Sequence, residues 1–118
     1  MDSVAIVVVD RSGTIRFWSP GAETLFGHPV SGAVGATLDL IVPPHLRDRH
    51  WSGFHRAWEE GLSDDVRVAL IPVACADGET HLFPGRFLPI RAPHGDLAAL
   101  MGVWQAPSGR DDGMFVLG

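Results

Sequence analysis

Apolar positions form short β-branched runs near both ends of the chain and a helical repeat between them. Residues Val4–Val9 are almost wholly β-branched and apolar, which predicts a buried strand. Residues 10–13 have the composition of a turn, and residues 14–19 then alternate between apolar and polar side chains. The first third of the chain therefore begins with a predicted β-hairpin.

A short helix and a loop are predicted to follow the hairpin. Ser19 suits an N-cap and Pro20 suits the first helical position, so residues 21–26 are predicted to be a short amphipathic helix that ends at Gly27. Residues 29–44 are rich in Gly and Pro, which favours a loop, with one short apolar piece at 38–42.

The longest predicted helix covers residues 44–60 and ends at Gly61. Three strand-like segments come after it, at residues 66–76, Thr80–Arg91 and Leu97–Gln105. Strands at both ends with helices between them predict an α+β fold. We expect one antiparallel five-stranded sheet, with short helices and one longer helix on one face.

The pattern also predicts the domain organisation. Residues 1–106 are expected to form one domain, and residues 107–118 a polar C-terminal tail whose apolar end, 114–117, could dock back onto it. A sheet covered on one side leaves a space between the layers, which either side chains or a ligand can fill.

Composition narrows the function classes. The 118 residues suit one domain, with 46% hydrophobic and 19% charged residues and a net charge of −5. All nine basic residues are Arg and they form no basic run, which argues against a nucleic-acid groove. The apolar runs are too short to cross a bilayer, and no basic region precedes the first, so neither a membrane partner nor a signal peptide is expected. The single Cys75 excludes an internal disulfide, which favours a cytoplasmic location.

The most informative polar residue is His50, because it falls in the middle of the apolar face of the long helix. On a helical wheel Leu46, Phe54 and Ala57 lie within about 40° of it. Burying an imidazole is costly unless its nitrogens find partners. Two interpretations stay open at this point: a structural histidine with a hydrogen-bond partner, or a ligand to a metal held between helix and sheet.

A bare metal ion is disfavoured by the spacing of the histidines. His45, His50 and His55 are five residues apart, which turns successive rings by about 140° and prevents them from sharing an ion. One axial histidine is enough for haem, because the porphyrin supplies four nitrogens. No catalytic constellation is present, so we expect a sensory module and not an enzyme.

Three stretches resemble a known family. "IVVVDRSGTIRFWSPGAETLFGH" and "ADGETHLFPGRFLPIRAPHGDLAALMGVW" are similar to the opening and closing parts of PAS sensor domains, and the resemblance covers residues 1–106. The helix "VPPHLRDRHWSGFHRAWEEG" is most similar to that of the FixL-type haem PAS sensors. Their helix carries an Arg three residues before the iron-ligating His and another six residues after it, which correspond here to Arg47, His50 and Arg56.

The resemblance implies sensing of a diatomic gas by haem b, with His50 as the proximal iron ligand and Arg56 contacting a propionate. The other expected cofactor contacts are Leu46, Arg47, Phe54, Ala69, Phe87, Leu88 and Met101. The FixL-type sensors place an Arg where this chain has Ala69, so CO or NO is expected to be held at least as securely as O₂. Signalling is expected through a conformational or dimer change, in a homodimer that acts on a downstream signalling protein.

The alternative is a PAS module without cofactor, which binds a small organic ligand or mediates dimerisation. His50 would then be a hydrogen-bonded core residue, and Trp51 and Trp58 would add apolar contact area. A photoactive flavin domain is disfavoured, because it needs a reactive Cys near the loop at 38–42, whereas Cys75 lies near the end of a predicted strand.

Overall fold

The computed structural model describes residues 3–61 and 67–107, which contain a single five-stranded antiparallel sheet. The strands are β1 Val4–Val9, β2 Ile15–Trp18, β3 Ala69–Ala74, β4 Thr80–Arg91 and β5 Leu97–Gln105. Their order across the sheet is β2-β1-β5-β4-β3. The first and last strands of the chain are therefore neighbours at the centre. The expected α+β fold is confirmed.

The described residues between β2 and β3 form three helices: α1 Pro20–Phe26, α2 Val30–Ala33 and α3 Arg47–Glu60. Two 3₁₀ turns, Leu38–Leu40 and Pro44–Leu46, occupy the segment between α2 and α3. In the part of the chain that the structure describes, no helix is both long and apolar enough to cross a membrane.

The ends of α1 follow from local chemistry, as the sequence predicts. The Ser19 hydroxyl accepts hydrogen bonds from the backbone N–H of Ala22 at 3.1 Å and of Ile6 at 2.8 Å. It therefore caps the helix and also joins it to β1. Gly27 ends the helix in the left-handed region, at a φ of 86° that favours glycine.

The predicted bounds of the strands and helices need three corrections. The long helix becomes α-helical at Arg47 and not at Pro44, because residues Pro44–Leu46 form a 3₁₀ turn. The predicted loop at 29–44 contains α2 and a 3₁₀ turn, which are too short to produce a periodic pattern. Strand β3 is shorter than the predicted 66–76; position 66 lies outside the described residues.

The core lies on the sheet face that the helices cover. The inward residues of β1, Ala5, Val7 and Val9, are buried, and the Phe26 ring packs edge-on against Phe83 and Trp104 at 5.2 and 5.3 Å. The predicted domain spans residues 1–106, and its described ends meet where Ala106 N–H donates to the Ser3 carbonyl. Of the predicted tail, residues 108–118 lie outside the described part of the chain.

Candidate functional site

Helix α3 is fixed over the sheet by Trp51 and Phe54. Phe54 is the buried residue of this helix, and the two rings pack edge-on at 5.2 Å. The Trp51 indole N–H donates to the Asp39 carboxylate at 2.8 Å. Its ring also lies against Gly13, where a Cβ would overlap it. Trp51 therefore connects α3 both to the β1–β2 turn and to the 3₁₀ turn at Leu38–Leu40.

A cavity of about 270 Å³ lies between α3 and the inward face of β1, β4 and β5. Most of its lining is apolar; the lining residues are Val7, Val9, Leu38, Arg49, His50, Gly53, Phe54, Ala57, Phe87, Leu100, Met101, Gly102 and Trp104. Phe87 is 46% exposed and Arg49 is also exposed. The cavity therefore reaches the protein surface beside these two side chains, which we call its mouth.

Trp104 forms part of the cavity wall on the sheet side. Its indole lies flat across the neighbouring strands, since a Cβ on either Gly85 or Gly102 would overlap the ring. Gly85 is its partner on β4, and Gly102 precedes it by two residues on β5. Phe87 packs edge-on against the same ring at 5.9 Å. Sequence reasoning missed this wall, although a glycine inside a strand pattern often marks such a close approach.

His50 lies on the helix side of the cavity, as its place on the apolar face predicts. The ring is half-buried, with its centre 4.8 Å from Trp51 and 5.9 Å from Phe54. Burial lowers the pKa of His50, and the nearby Asp39 carboxylate opposes this only in part. The imidazole is therefore mostly neutral at neutral pH.

Two ring nitrogens beside the cavity lack hydrogen-bond partners. His50 Nδ1 and Trp104 Nε1 are both buried, and neither has a partner in the described part of the chain. An unpaired buried donor or acceptor costs about 1–3 kcal/mol. A bound molecule or an ordered water that paired with either nitrogen would recover part of that cost.

Four of the nine predicted site residues line the cavity: His50, Phe54, Phe87 and Met101. The other five, Leu46, Arg47, Arg56, Ala69 and Leu88, are not among the lining residues. Their roles as cofactor contacts stay predictions.

The positions of four of those five residues have simple physical reasons. Arg47 is directed to Asp39 and donates from Nη2 to its carbonyl at 3.2 Å. Arg56 is exposed on α3, and Ala69 is exposed at the start of the edge strand β3. Leu88 follows Phe87 in β4, and successive strand residues point to opposite faces of a sheet.

The six remaining lining side chains were not predicted as site residues. Val7 and Val9 alternate on β1 and Ala57 shares the apolar face of α3, so the pattern contained their signal. Arg49 flanks that face of α3. Leu38 and Leu100 carry no comparable signal, because their place depends on how distant elements pack.

A bare metal site finds no support in the geometry. Among residues 3–61 and 67–107, no group of three or more His, Cys, Asp or Glu side chains is placed to hold an ion. Cys75 is half-buried, burial raises the pKa of its thiol, and it does not line the cavity.

Comparison with known proteins agrees with the fold. A family model described as PAS fold matches residues 2–112. The chain belongs to the PAS fold family. An uncharacterized protein of Azorhizobium caulinodans is 33% identical over 81 residues, which make up 68% of this chain and 11% of that protein. This PAS domain thus spans about a tenth of the length of that relative.

Solved structures of distant proteins superpose well. The PAS domain of a protein from Colwellia psychrerythraea has a TM-score of 0.75 and 24% identity, covering 91% of this chain and 88% of that one. The PAS domain of the Cronobacter turicensis quorum-sensing receptor RpfR, in complex with BDSF, has a TM-score of 0.70 and 16% identity, covering 90% and 95%. The LOV domain of the blue-light photoreceptor Aureochrome1 has a TM-score of 0.66 and 20% identity, covering 89% and 76%.

These likenesses decide the family and the fold. The resemblance to PAS sensor domains is confirmed. The finer resemblance to the FixL-type haem branch stays a prediction.

Proposed function

We propose that this PAS domain senses a small, mostly apolar organic molecule that binds in the cavity between α3 and the sheet. The observation that carries the proposal is the cavity itself, whose lining is almost entirely apolar apart from Arg49 and His50. At about 30 Å³ per water, 270 Å³ holds on the order of nine groups of water or methylene size. That is close to the lower end of ordinary ligand pockets, about 300 Å³.

Affinity would come from the apolar walls, and orientation from the few polar groups. Burying apolar surface contributes roughly 25 cal/mol per Å². A neutral His50 both donates and accepts a hydrogen bond, so it suits an uncharged polar atom of the ligand. The RpfR PAS domain is in complex with BDSF, and its fold is the one seen here. This supports ligand binding by analogy at the level of the fold.

A sensing role fits these residues better than catalysis. Arg49 and His50 are the charged or titratable side chains of the lining, and they do not form an acid–base pair with a nucleophile. Binding would instead favour one arrangement of α3 relative to the sheet. A second copy of the domain or a downstream signalling protein would respond to that change.

Haem is the second candidate, and the observation that favours it is the His50 ring on the cavity wall. The cavity as it stands is too small, because the four pyrrole rings of a porphyrin exceed about nine small groups. Haem binding therefore requires α3 to move away from the sheet. Arg56 is exposed, so it could reach a propionate only outside the present cavity.

A cavity-filling variant tests the small-ligand proposal. Ala57→Phe places a ring inside the cavity, whereas Ser52→Phe adds the same ring on the exposed side of α3. With 1-octanol as the probe, thermal unfolding of the wild type and of Ser52→Phe should shift upward by several degrees. Ala57→Phe should fold but show no shift. An equal shift in all three proteins, or none in the wild type, would contradict the proposal.

A visible spectrum tests the haem alternative. The protein is purified from cells supplied with haem, and His50→Ala is compared with His55→Ala, which changes an exposed histidine of the same helix. The small-ligand proposal predicts no Soret band in any of the three proteins. A Soret band that His50→Ala abolishes and His55→Ala retains would replace it with the haem function.

A further inference from the structure

The mouth of the cavity carries a free cation. Arg49 lines the cavity and is exposed, and it forms no ion pair or hydrogen bond with any residue in the described ranges. The neighbouring Arg47 differs, because it donates to the Asp39 carbonyl and its Nε lies 3.7 Å from the Asp39 carboxylate. The Arg49 guanidinium is therefore available to a ligand.

Nothing in the cavity lining neutralises this charge. Among residues 3–61 and 67–107, no Asp or Glu lines the cavity. The carboxylate that raises the pKa of His50 is Asp39, which already accepts the Trp51 N–H and faces Arg47. With His50 mostly neutral, Arg49 supplies the positive charge of the site.

We infer that the ligand is an organic monocarboxylate, with its apolar body in the cavity and its carboxylate held by Arg49 at the mouth. This inference rests on the proposed function and adds the chemical class of the ligand. A guanidinium presents two parallel N–H donors that match the two oxygens of a carboxylate. Its position at the mouth lets the charged group stay partly hydrated while the apolar part is buried.

The charge of the site favours a carboxylate over a phosphate. One guanidinium balances one carboxylate, whereas a phosphate monoester carries about −1.5 to −2 at neutral pH. The chain as a whole carries −5, so an anion approaches against the overall charge and needs a local cation. The cavity holds about nine small groups, which suits an apolar body of medium length.

A matched pair of probes separates the two proposals. Octanoate and 1-octanol share the same chain length and differ in the charged group. Their dissociation constants are measured at pH 7 by calorimetry for the wild type, Arg49→Met and Arg56→Met. Methionine keeps an apolar stem in place of the arginine stem, and Arg56 is an exposed arginine of the same helix that does not line the cavity.

We expect the wild type to bind octanoate about three- to tenfold more tightly than octanol. Arg49→Met should lose this preference and keep its affinity for octanol, and Arg56→Met should behave like the wild type. Arg49→Lys retains the positive charge but lacks the paired N–H donors of the guanidinium, so it should keep part of the preference for octanoate. Arg49→Lys also provides the test of the carboxylate assignment if Arg49→Met does not fold.

Each other outcome overturns a specific claim. Equal binding of both probes by the wild type, or a preference that survives Arg49→Met, refutes the carboxylate assignment and leaves the small-ligand function standing. An equal loss of preference in Arg49→Met and Arg56→Met also refutes it, because the effect would then reflect overall charge. Failure of the wild type to bind either probe overturns both proposals.

Discussion

Gly85 and Gly102 determine the position of a much larger residue, Trp104. Because neither glycine has a Cβ, the indole can lie flat against the sheet and leave room above it. The cavity therefore depends on missing side chains in β4 and β5 as much as on those present. Gly53, on the helix side of the cavity, is different, since a Cβ there would meet no atom within 4 Å.

Gly102→Ala should move the Trp104 ring into the cavity. The new methyl group overlaps the indole, which can only turn away from the sheet. We expect a loss of stability of about 1–3 kcal/mol, measured by urea unfolding, together with a smaller thermal shift from 1-octanol.

Gly53→Ala is the matched control for this prediction. It adds the same methyl group within a helix at a position where it overlaps nothing, so it should stabilise the protein by about 0.5–1 kcal/mol. Equal stability of the two variants would show that Trp104 does not depend on Gly102.

Helix α3 is held at its edges by its two tryptophans. Trp51 donates to Asp39 and covers Gly13, whereas Trp58 lies beneath the Arg11 guanidinium, 5.4 Å from its ring centre. The Trp58 indole N–H is buried and has no partner among the described residues. The two rings therefore differ in one respect that can be measured.

Trp51→Phe should loosen α3 more than Trp58→Phe does. The first substitution removes the hydrogen bond to Asp39, and the second removes an unpaired donor. We expect Trp51→Phe to cost about 1 kcal/mol more in the free energy of unfolding and to speed amide hydrogen exchange along α3. If Trp58→Phe has the larger effect on exchange, the Asp39 bond does not hold the helix.

At the scale of the whole molecule, His50 and Asp10 are two of the groups that connect stability to pH. Burial lowers the pKa of His50, so the unfolded chain takes up its proton first as the pH falls. The Ser12 hydroxyl, with further donors from Arg16 and the backbone of Thr14, holds the pKa of Asp10 well below its ordinary range, despite the opposing effect of burial. Both shifts mean that the unfolded state binds more protons, so both make acid destabilising.

The free energy of unfolding should therefore fall in two stages. The His50 contribution is present above its unfolded pKa of about 6.5 and is lost as the pH falls below that value. The Asp10 contribution is present above its unfolded pKa of about 3.9 and is lost at lower pH. Urea unfolding between pH 7.5 and 3 measures the first stage and the onset of the second.

Two substitutions show which residue causes each stage of the loss of stability. His50→Gln should flatten the change below pH 6.5, and Asp10→Asn should flatten the change near pH 4, each leaving the other stage in place. Asp77, whose pKa the neighbouring His81 lowers, adds to the lower stage in both variants. A wild-type curve that is level between pH 7 and 5 would contradict the burial of the His50 ring.

The amino-acid pattern by itself determines most of the elements. Strands β1, β4 and β5 end where the sequence predicts, and Ser19 and Gly27 cap α1 as expected. These features depend on neighbouring residues, through side-chain alternation, turn composition and caps. The inward direction of His50 is equally local, because it follows from the helical period.

Only the tertiary structure decides the cavity and its chemistry. Its volume is the space left between elements far apart in the chain, and it depends on how Trp104 lies over glycines of two strands. Tertiary contacts also separate three arginines that look alike in the sequence. Arg47 turns to Asp39, Arg49 at the mouth pairs with none of the described residues, and Arg56 lies outside the lining. A local pattern sets which face a side chain takes, whereas what it meets there depends on the distant parts of the chain that pack against it.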